Sequence, residues 1–509
     1  MSPFLSQVSS VDRQSTLYAR ISDAHQRLAK KDPTIWGPDA VAEATIRLNW
    51  IDLPEKSREL LPTVDALAAK HRDKKYVVLA GMGGSSLGPE VIAQTYEKDL
   101  FILDSTDPHY VENALSRKLE ETLIVVSSKS GSTIETASAR AFFAHEFEKA
   151  GLALANHMII VTDPGSPLDK ESRAQGLSVI NADPNVGGRF SVLSAFGLVP
   201  SALTGVDISV LLDSASDAKR DFLNSPQEII DCAYVIATAG QYLTFTDENC
   251  GMPGLSDWIE QLVAESTGKN QVGRLPVVVE NAQQGREGNP LRISFTGNED
   301  CVVSGDLGAQ FITWEWLTAL VGAALEIDPF NQPNVTEAKE QTSTLLNEWS
   351  GKLPVFTASA VDKSIAIFGK GDSVLASLQE FISTIPEDGY IAIMAYLDRA
   401  NDAPITELRK ILAAKSKRPV TFGWGPRFLH STGQFHKGGQ RNGAFLQITG
   451  KCDIDFAIPE KNFGFATLLM AQALGDGRAL ESRSYPLLRL HLNDREHGIG
   501  ELLQAARQL

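Results

Sequence analysis

Between residues 75 and 185 short apolar runs alternate with longer stretches in which charged and apolar residues interleave. The runs at 76–80, 100–103, 122–126, 157–161 and 177–180 predict strands, and the amphipathic stretches between them predict helices. Pro89 near a helix start and Asp163-Pro164-Gly165 as a turn agree with this reading. Strand–helix alternation predicts a parallel sheet covered on both faces, with its ligand beyond the carboxyl ends of the strands. A second alternation starts at 364, with strands predicted at 364–368, 389–396, 419–422 and 444–448. Before the first unit, residues 9–70 read as helical, punctuated by Pro33, Pro38 and Pro54. Between the units, 191–267 reads as mainly helical, 275–295 as extended and 308–350 as helical. The expected class is α/β, with two doubly wound parallel-sheet units and helical N-terminal and connecting segments. The expected divisions are 1–70, 71–245 and 246–509.

Two glycine/serine loops stand out because each sits between an apolar run and a helical run. The first is Gly81-Met82-Gly83-Gly84-Ser85-Ser86-Leu87-Gly88; the second is Ser127-Ser128-Lys129-Ser130-Gly131-Ser132-Thr133. A strand that enters a helix through such a loop presents free N–H groups and the positive end of the helix dipole, an anion site. The second loop adds hydroxyls and a lysine, so the pair suggests one phosphate gripped by one α/β unit. Taken singly, the first loop is equally a plain tight turn and the second a serine N-cap cluster. A dinucleotide fingerprint would need glycine where Ser86 stands, although Asp104 lies at the distance of a ribose-binding acid. GxxxxGK[ST] is absent, which argues against a nucleoside triphosphate.

Composition narrows the partners. A net charge of −16 argues against non-specific nucleic-acid binding but leaves room for a local positive pocket. The four scattered cysteines make no zinc-type cluster and fit a reducing cytoplasm. Met1–Phe4 lacks the pattern of a secretory signal, and the apolar stretch around Trp316–Ala324, interrupted by Glu315 and Glu326, is too short for a bilayer. Trp258, Trp314 and Trp316 read as packing residues.

Several segments together resemble the glucose-6-phosphate isomerase family. They are Gly83-Gly84-Ser85, Ser128–Thr136, Gly187-Gly188-Arg189-Phe190-Ser191, Gln261–Lys269 and Asp328–Val335 followed by Lys339. The resemblance runs from about residue 40 to the end and is nearest to the isomerase half of bacterial transaldolase/glucose-6-phosphate isomerase fusions. It implies two sugar-isomerase (SIS-type) units, no cofactor or metal, and a sugar phosphate substrate held by Gly83, Gly84, Ser85, Ser128, Lys129, Ser130 and Thr133. It implies interconversion of glucose 6-phosphate and fructose 6-phosphate, a step of glycolysis and gluconeogenesis. It further implies a cytoplasmic homodimer and a functional link to a separate transaldolase; no eightfold strand–helix alternation precedes residue 70 to supply that activity in this chain.

Aldose–ketose isomerisation moves a proton between C1 and C2 and needs one base on one face of an enediol. Glu265 is the candidate, with Gln261 one helical turn earlier to orient the substrate. Arg189 would steady the enediolate. Gln332 and Lys339 are seven apart, so a helical stretch would bring both to one site. Each has a bland alternative: a solvated glutamate, an arginine bridging carboxylates, a lysine on a wet helix face. The family's ring-opening histidine falls between the glutamate and the Gln…Lys motif, but no histidine lies between Glu265 and Lys339. Phe428-Leu429-His430-Ser431-Thr432-Gly433-Gln434 resembles that motif displaced along the chain, making His430 the candidate and His436 its competitor. Such reordering implies that 250–345 and 364–509 assemble together. A sugar-phosphate-binding regulator without catalysis would need the loops but not Glu265, Gln332 and Lys339 together; isomerisation of another hexose phosphate is the other alternative.

Overall fold

The computed structural model describes residues 5–6, 11–297 and 299–509. Met1–Phe4, read above for a leader, and Ser9 and Ser10, read as the start of the helical segment, lie outside the described residues.

Residues 76–181 form a five-stranded parallel sheet in the spatial order Leu100–Leu103, Tyr76–Gly81, Thr122–Ser127, Met158–Thr162, Ser178–Asn181. Its strands read as continuous apolar runs because both faces are covered. Val77, Leu79, Val125 and Val161 enter one core, while Val78, Ala80, Ile124, Val126 and Ile160 enter another. The chain leaves Tyr76–Gly81 for one side of the sheet and returns at Thr122–Ser127 for the other. A crevice therefore opens between the carboxyl ends of these two strands, where the two loops lie.

The C-terminal sheet has the order Ala360–Asp362, Ile365–Phe368, Leu487–Leu492, Gly443–Gly450, Tyr390–Tyr396, Val420–Trp424. Its last four strands are parallel, and the first two join antiparallel. Again alternate residues part between two cores: Ile391, Ile393 and Ala395 on one face, Tyr390, Ala392, Met394 and Tyr396 on the other.

A third sheet is additional to the two expected alternations. Tyr242–Thr246, Leu275–Val278, Leu291–Ser294 and Cys301–Val303 run parallel, with Leu5–Ser6 antiparallel on the edge. Tyr242–Thr246 lies in the stretch read as mainly helical, and the boundary expected at 245/246 falls inside it. All of its residues are buried, so no polar alternation marks it, and periodicity alone does not separate such a run from a buried helix. Among the described residues, 250–345 share no strand ladder with 364–509. The two stretches meet through side chains instead: Leu275 and Val277 share a core with Tyr390 and Phe435, and helix Val335–Glu348 packs on helix Phe465–Glu481. Trp258, Trp314 and Trp316 are buried in the core, as expected. No helix among the described residues is long and apolar enough to cross a membrane.

One buried ion pair fixes the segment that follows His430. Lys437, on helix Gly433–Gly438, places Nζ 2.5 Å from Asp476 Oδ1 on helix Phe465–Glu481, with both side chains almost wholly buried. Neither carboxylate oxygen of Asp476 has a hydrogen bond among the described residues, so Lys437 alone balances it. Lys437→Met strands a buried charge and is expected to cost about 3–5 kcal/mol in urea unfolding, while Lys437→Met with Asp476→Leu recovers most of the loss. An unchanged midpoint in the single variant would contradict the assignment.

Candidate active site

Glycine lets four segments meet at the crevice. Gly83 has φ +55°, and a Cβ there would stand 2.8 Å from both Gln261 Nε2 and the His430 carbonyl oxygen. A Cβ on Gly84 would stand 2.0 Å from the carbonyl oxygen of Gly188. The first loop is therefore in direct contact with helix Leu255–Thr267, the turn Gly188–Phe190 and the turn Arg427–His430. The second loop delivers the N-terminus of helix Ile134–Lys149 to the same place.

These segments enclose a cavity of about 290 Å³. Its walls carry Gly83, Gly84, Ser85, Ser128, Lys129, Thr133, Arg189, Gln261, Glu265, Gln332, Lys339 and His430. Ser130 lines an adjoining cavity of about 220 Å³, which Thr133, Lys339 and His430 also border. Within the main cavity's walls, Ser127 Oγ, Thr136 Oγ1 and Gln261 Oε1 are buried and make no hydrogen bond among the described residues. Buried polar atoms are almost always partnered, so three orphans around one cavity mark it as a polar ligand site.

Arg189 is buried and fully used. Its Nε donates to Ser266 Oγ (2.8 Å), one terminal nitrogen donates to Gln332 Oε1 (2.9 Å), and the other donates to the carbonyl oxygens of Pro329 (2.6 Å) and Asn331 (2.9 Å). The guanidinium also lies 3.2 Å from Glu265 Oε1. Burial lowers its pKa below the ordinary arginine value, while Glu265 and Asp328 oppose that shift. Gln261 Nε2 donates to the His430 carbonyl (2.7 Å) and, more weakly, to Glu265 Oε2 (3.3 Å). Glu265 is thus held between a cation and an amide with its carboxylate at the cavity wall.

His430 Nε2 lies 3.0 Å from Glu135 Oε1. A carboxylate only accepts, so in this contact Nε2 is the donor. Glu135 also accepts from Gln472 Nε2 (2.7 Å), whose Oε1 accepts from Thr106 Oγ1 (2.6 Å). Burial pushes Glu135 up, but His430, a backbone hydrogen bond and Lys339 outweigh it, so its carboxyl sits below the ordinary range. His436 is placed differently: it is buried, its Nδ1 lies 2.9 Å from the Tyr390 hydroxyl, and burial lowers its pKa to about 3. His430, not His436, lines the cavity.

Two expectations change in detail. Gln332 is not on the helix of Lys339, which begins at Val335. Pro333 disfavours helical backbone at the residue before it, so Gln332 reaches the cavity from the preceding loop. Lys129 lines the cavity, but its ammonium pairs with Asp163 Oδ2 (2.6 Å) and donates to the Pro184 carbonyl (3.0 Å). Glu135, Ser266 and Gln472 were missed. Glu135 and Ser266 stand inside two segments quoted above, Ser128–Thr136 and Gln261–Lys269; Gln472 carries no sequence signal of its own.

Residues 50–269 match the family model described as phosphoglucose isomerase. A glucose-6-phosphate isomerase of Campylobacter jejuni is 34% identical over 235 residues, 42% of this chain and 56% of that protein. One from Citrifermentans bemidjiense is 35% identical over 263 residues, 46% of this chain and 48% of that protein. The chain spans about half the length of the curated relatives it matches. The crystal structure of a glucose-6-phosphate isomerase from Chlamydia trachomatis superposes with a TM-score of 0.55 at 19% identity, covering 69% of this chain and 89% of that one. This likeness bears out the α/β fold.

Gly84→Ala tests the close approach. The added methyl meets backbone rather than a flexible side chain, so the expected cost is about 1–3 kcal/mol in urea unfolding, the range for overpacking. Wild-type stability in this variant would refute the contact.

Proposed function

We propose that the 290 Å³ cavity binds a monophosphorylated hexose and interconverts D-glucose 6-phosphate and D-fructose 6-phosphate through an enediolate. The observation that carries this reading is convergence. A carboxylate, a buried guanidinium, a carboxylate-backed histidine and two anion-binding loops line one cavity, although they come from residues 83 to 430. The phosphate sits on the loops, against Ser85, Ser128 and Thr133, with Ser130 at the adjoining rim. His430 and Lys339 open the ring by moving a proton to and from the ring oxygen. Glu265 takes the C2 proton and returns it at C1. Arg189, already aligned on Glu265, meets the negative charge that develops on the enediolate, and a preorganised cation in a buried site is effective there. Gln261 and Gln332 orient the hydroxyls.

The reading follows the matched family segment, which contains Arg189, Gln261 and Glu265. It also brings a cytoplasmic setting, a homodimer and a functional link to a separate transaldolase, each resting on the resemblance alone.

A positioned general base supplies about 10²–10⁴ in rate, so Glu265→Gln is expected to lose at least a hundredfold in turnover while still binding substrate. The measurement is glucose 6-phosphate formation from fructose 6-phosphate, coupled to NADP reduction, with mannose 6-phosphate as a competing substrate. Near wild-type turnover in the variant removes Glu265 as the base. Tight sugar-phosphate binding with no turnover in the wild-type chain would point to a regulator.

A further inference from the structure

Just before Gln261, the same helix presents Asp257 and Glu260 to another cavity, of about 400 Å³. None of its lining residues is shared with the sugar-phosphate cavity. Glu260 is only 8% exposed, yet among the described residues its carboxylate has no hydrogen bond and no ion pair. Its side chain lines the cavity, which leaves the carboxylate open to a partner there. Burial, with Asp257 nearby, pushes its pKa well above the ordinary range.

Three arginines line the same cavity, each paired with a carboxylate that also lines it, although Arg409 Nη1 makes no hydrogen bond among the described residues. Arg399 and Arg427 both pair with Glu90, and Arg427 also lies 3.1 Å from Asp104. Burial would raise Glu90, but the two arginines hold its pKa at about 2, so it is their counter-ion. Arg409 pairs with Glu280. Asp257 and Glu260 remain, three residues apart on one helix face. The rings of Phe422 and Trp424, packed edge-to-face 5.0 Å apart, line the same cavity. Carboxylates and an indole in one cavity are the chemistry that recognises an organic ammonium. A divalent ion is the poorer fit, because no three acidic, histidine or cysteine side chains among the described residues converge on a metal-sized site.

We propose that this cavity binds a small aliphatic amine, its ammonium held by the carboxylates of Glu260 and Asp257 and its methylenes against Trp424. Its volume is that of a small-molecule site.

Calorimetric titration of the full chain with 1,4-diaminobutane at pH 8, without sugar phosphate, tests this independently of the isomerase reading. The expected result is saturable binding of one diamine per chain, with no comparable heat from 1,4-butanediol. Glu260→Gln should weaken binding about 10- to 100-fold, the worth of a charge-assisted hydrogen bond, and Trp424→Leu by a smaller factor. Asp257→Asn, at the open end of the cavity, supplies the same test should Glu260→Gln fail to fold. Absence of saturation, equal binding of the diol, affinity unchanged by the carboxamide variants, or displacement of the diamine by magnesium chloride at equal concentration would each overturn the proposal.

Discussion

The architecture depends on satisfying one buried guanidinium. Arg189 has five N–H groups and a charge that burial makes expensive, and breaking such a cluster by removing one partner costs about 3–5 kcal/mol. Its partners come from two directions: Ser266 and Glu265 on one helix, and Gln332 with the Pro329 and Asn331 carbonyls on a loop some 140 positions along the chain. The turn, the helix and the loop must therefore arrive together or leave a buried cation unpaired. The demand that folds them is also the demand that places a positive charge beside a carboxylate at the cavity wall.

Primary amides repeat this logic around the rim. Gln261 ties the helix of Glu265 to the carbonyl of His430, and Gln434 ties the segment after His430 to the Gly268 carbonyl and to Asn334. Gly83 and Gly84 permit these links, since a side chain at either position would hold the walls apart. From His430 inward, Glu135, Gln472 and Thr106 form a hydrogen-bonded chain that fixes the imidazole from behind. The orientation of the ring at the cavity is then set by these hydrogen bonds.

This explains what could be read along the chain and what could not. The first sheet was legible because each strand is a bounded apolar run followed by an amphipathic helix, and its loops announced themselves by glycine and hydroxyl content. Tyr242–Thr246 was hidden because it is buried throughout and lies between two helices. Glu265, Arg189, Lys339 and His430 were found through motif resemblance. Glu135 was passed over although it sits in one of those motifs, because a glutamate in a first helical turn is ordinarily read as a favourable charge at the helix dipole. The sequence spacing also misjudged Gln332: seven positions matched two helical turns, but Pro333 intervenes, and the residue reaches the cavity by the loop path instead.

The family-model match stops at residue 269, yet Gln332, Lys339 and His430 complete the same cavity from beyond it. Chain order is thus a weaker constraint than the closure of the cavity. An α/β crevice fixes where a ligand must sit, at the ends of two strands whose crossovers diverge. A later segment can supply a cation or an imidazole from any position in the sequence, provided it carries acceptors for Arg189 or Gln261 to hold. The loop at 329–332 supplies carbonyls and an amide oxygen for the first, and the turn ending at His430 supplies a carbonyl for the second. A histidine late in the chain can therefore stand where an earlier one is expected, because its docking point is a backbone oxygen that any residue type provides, and only the imidazole itself has to be specified.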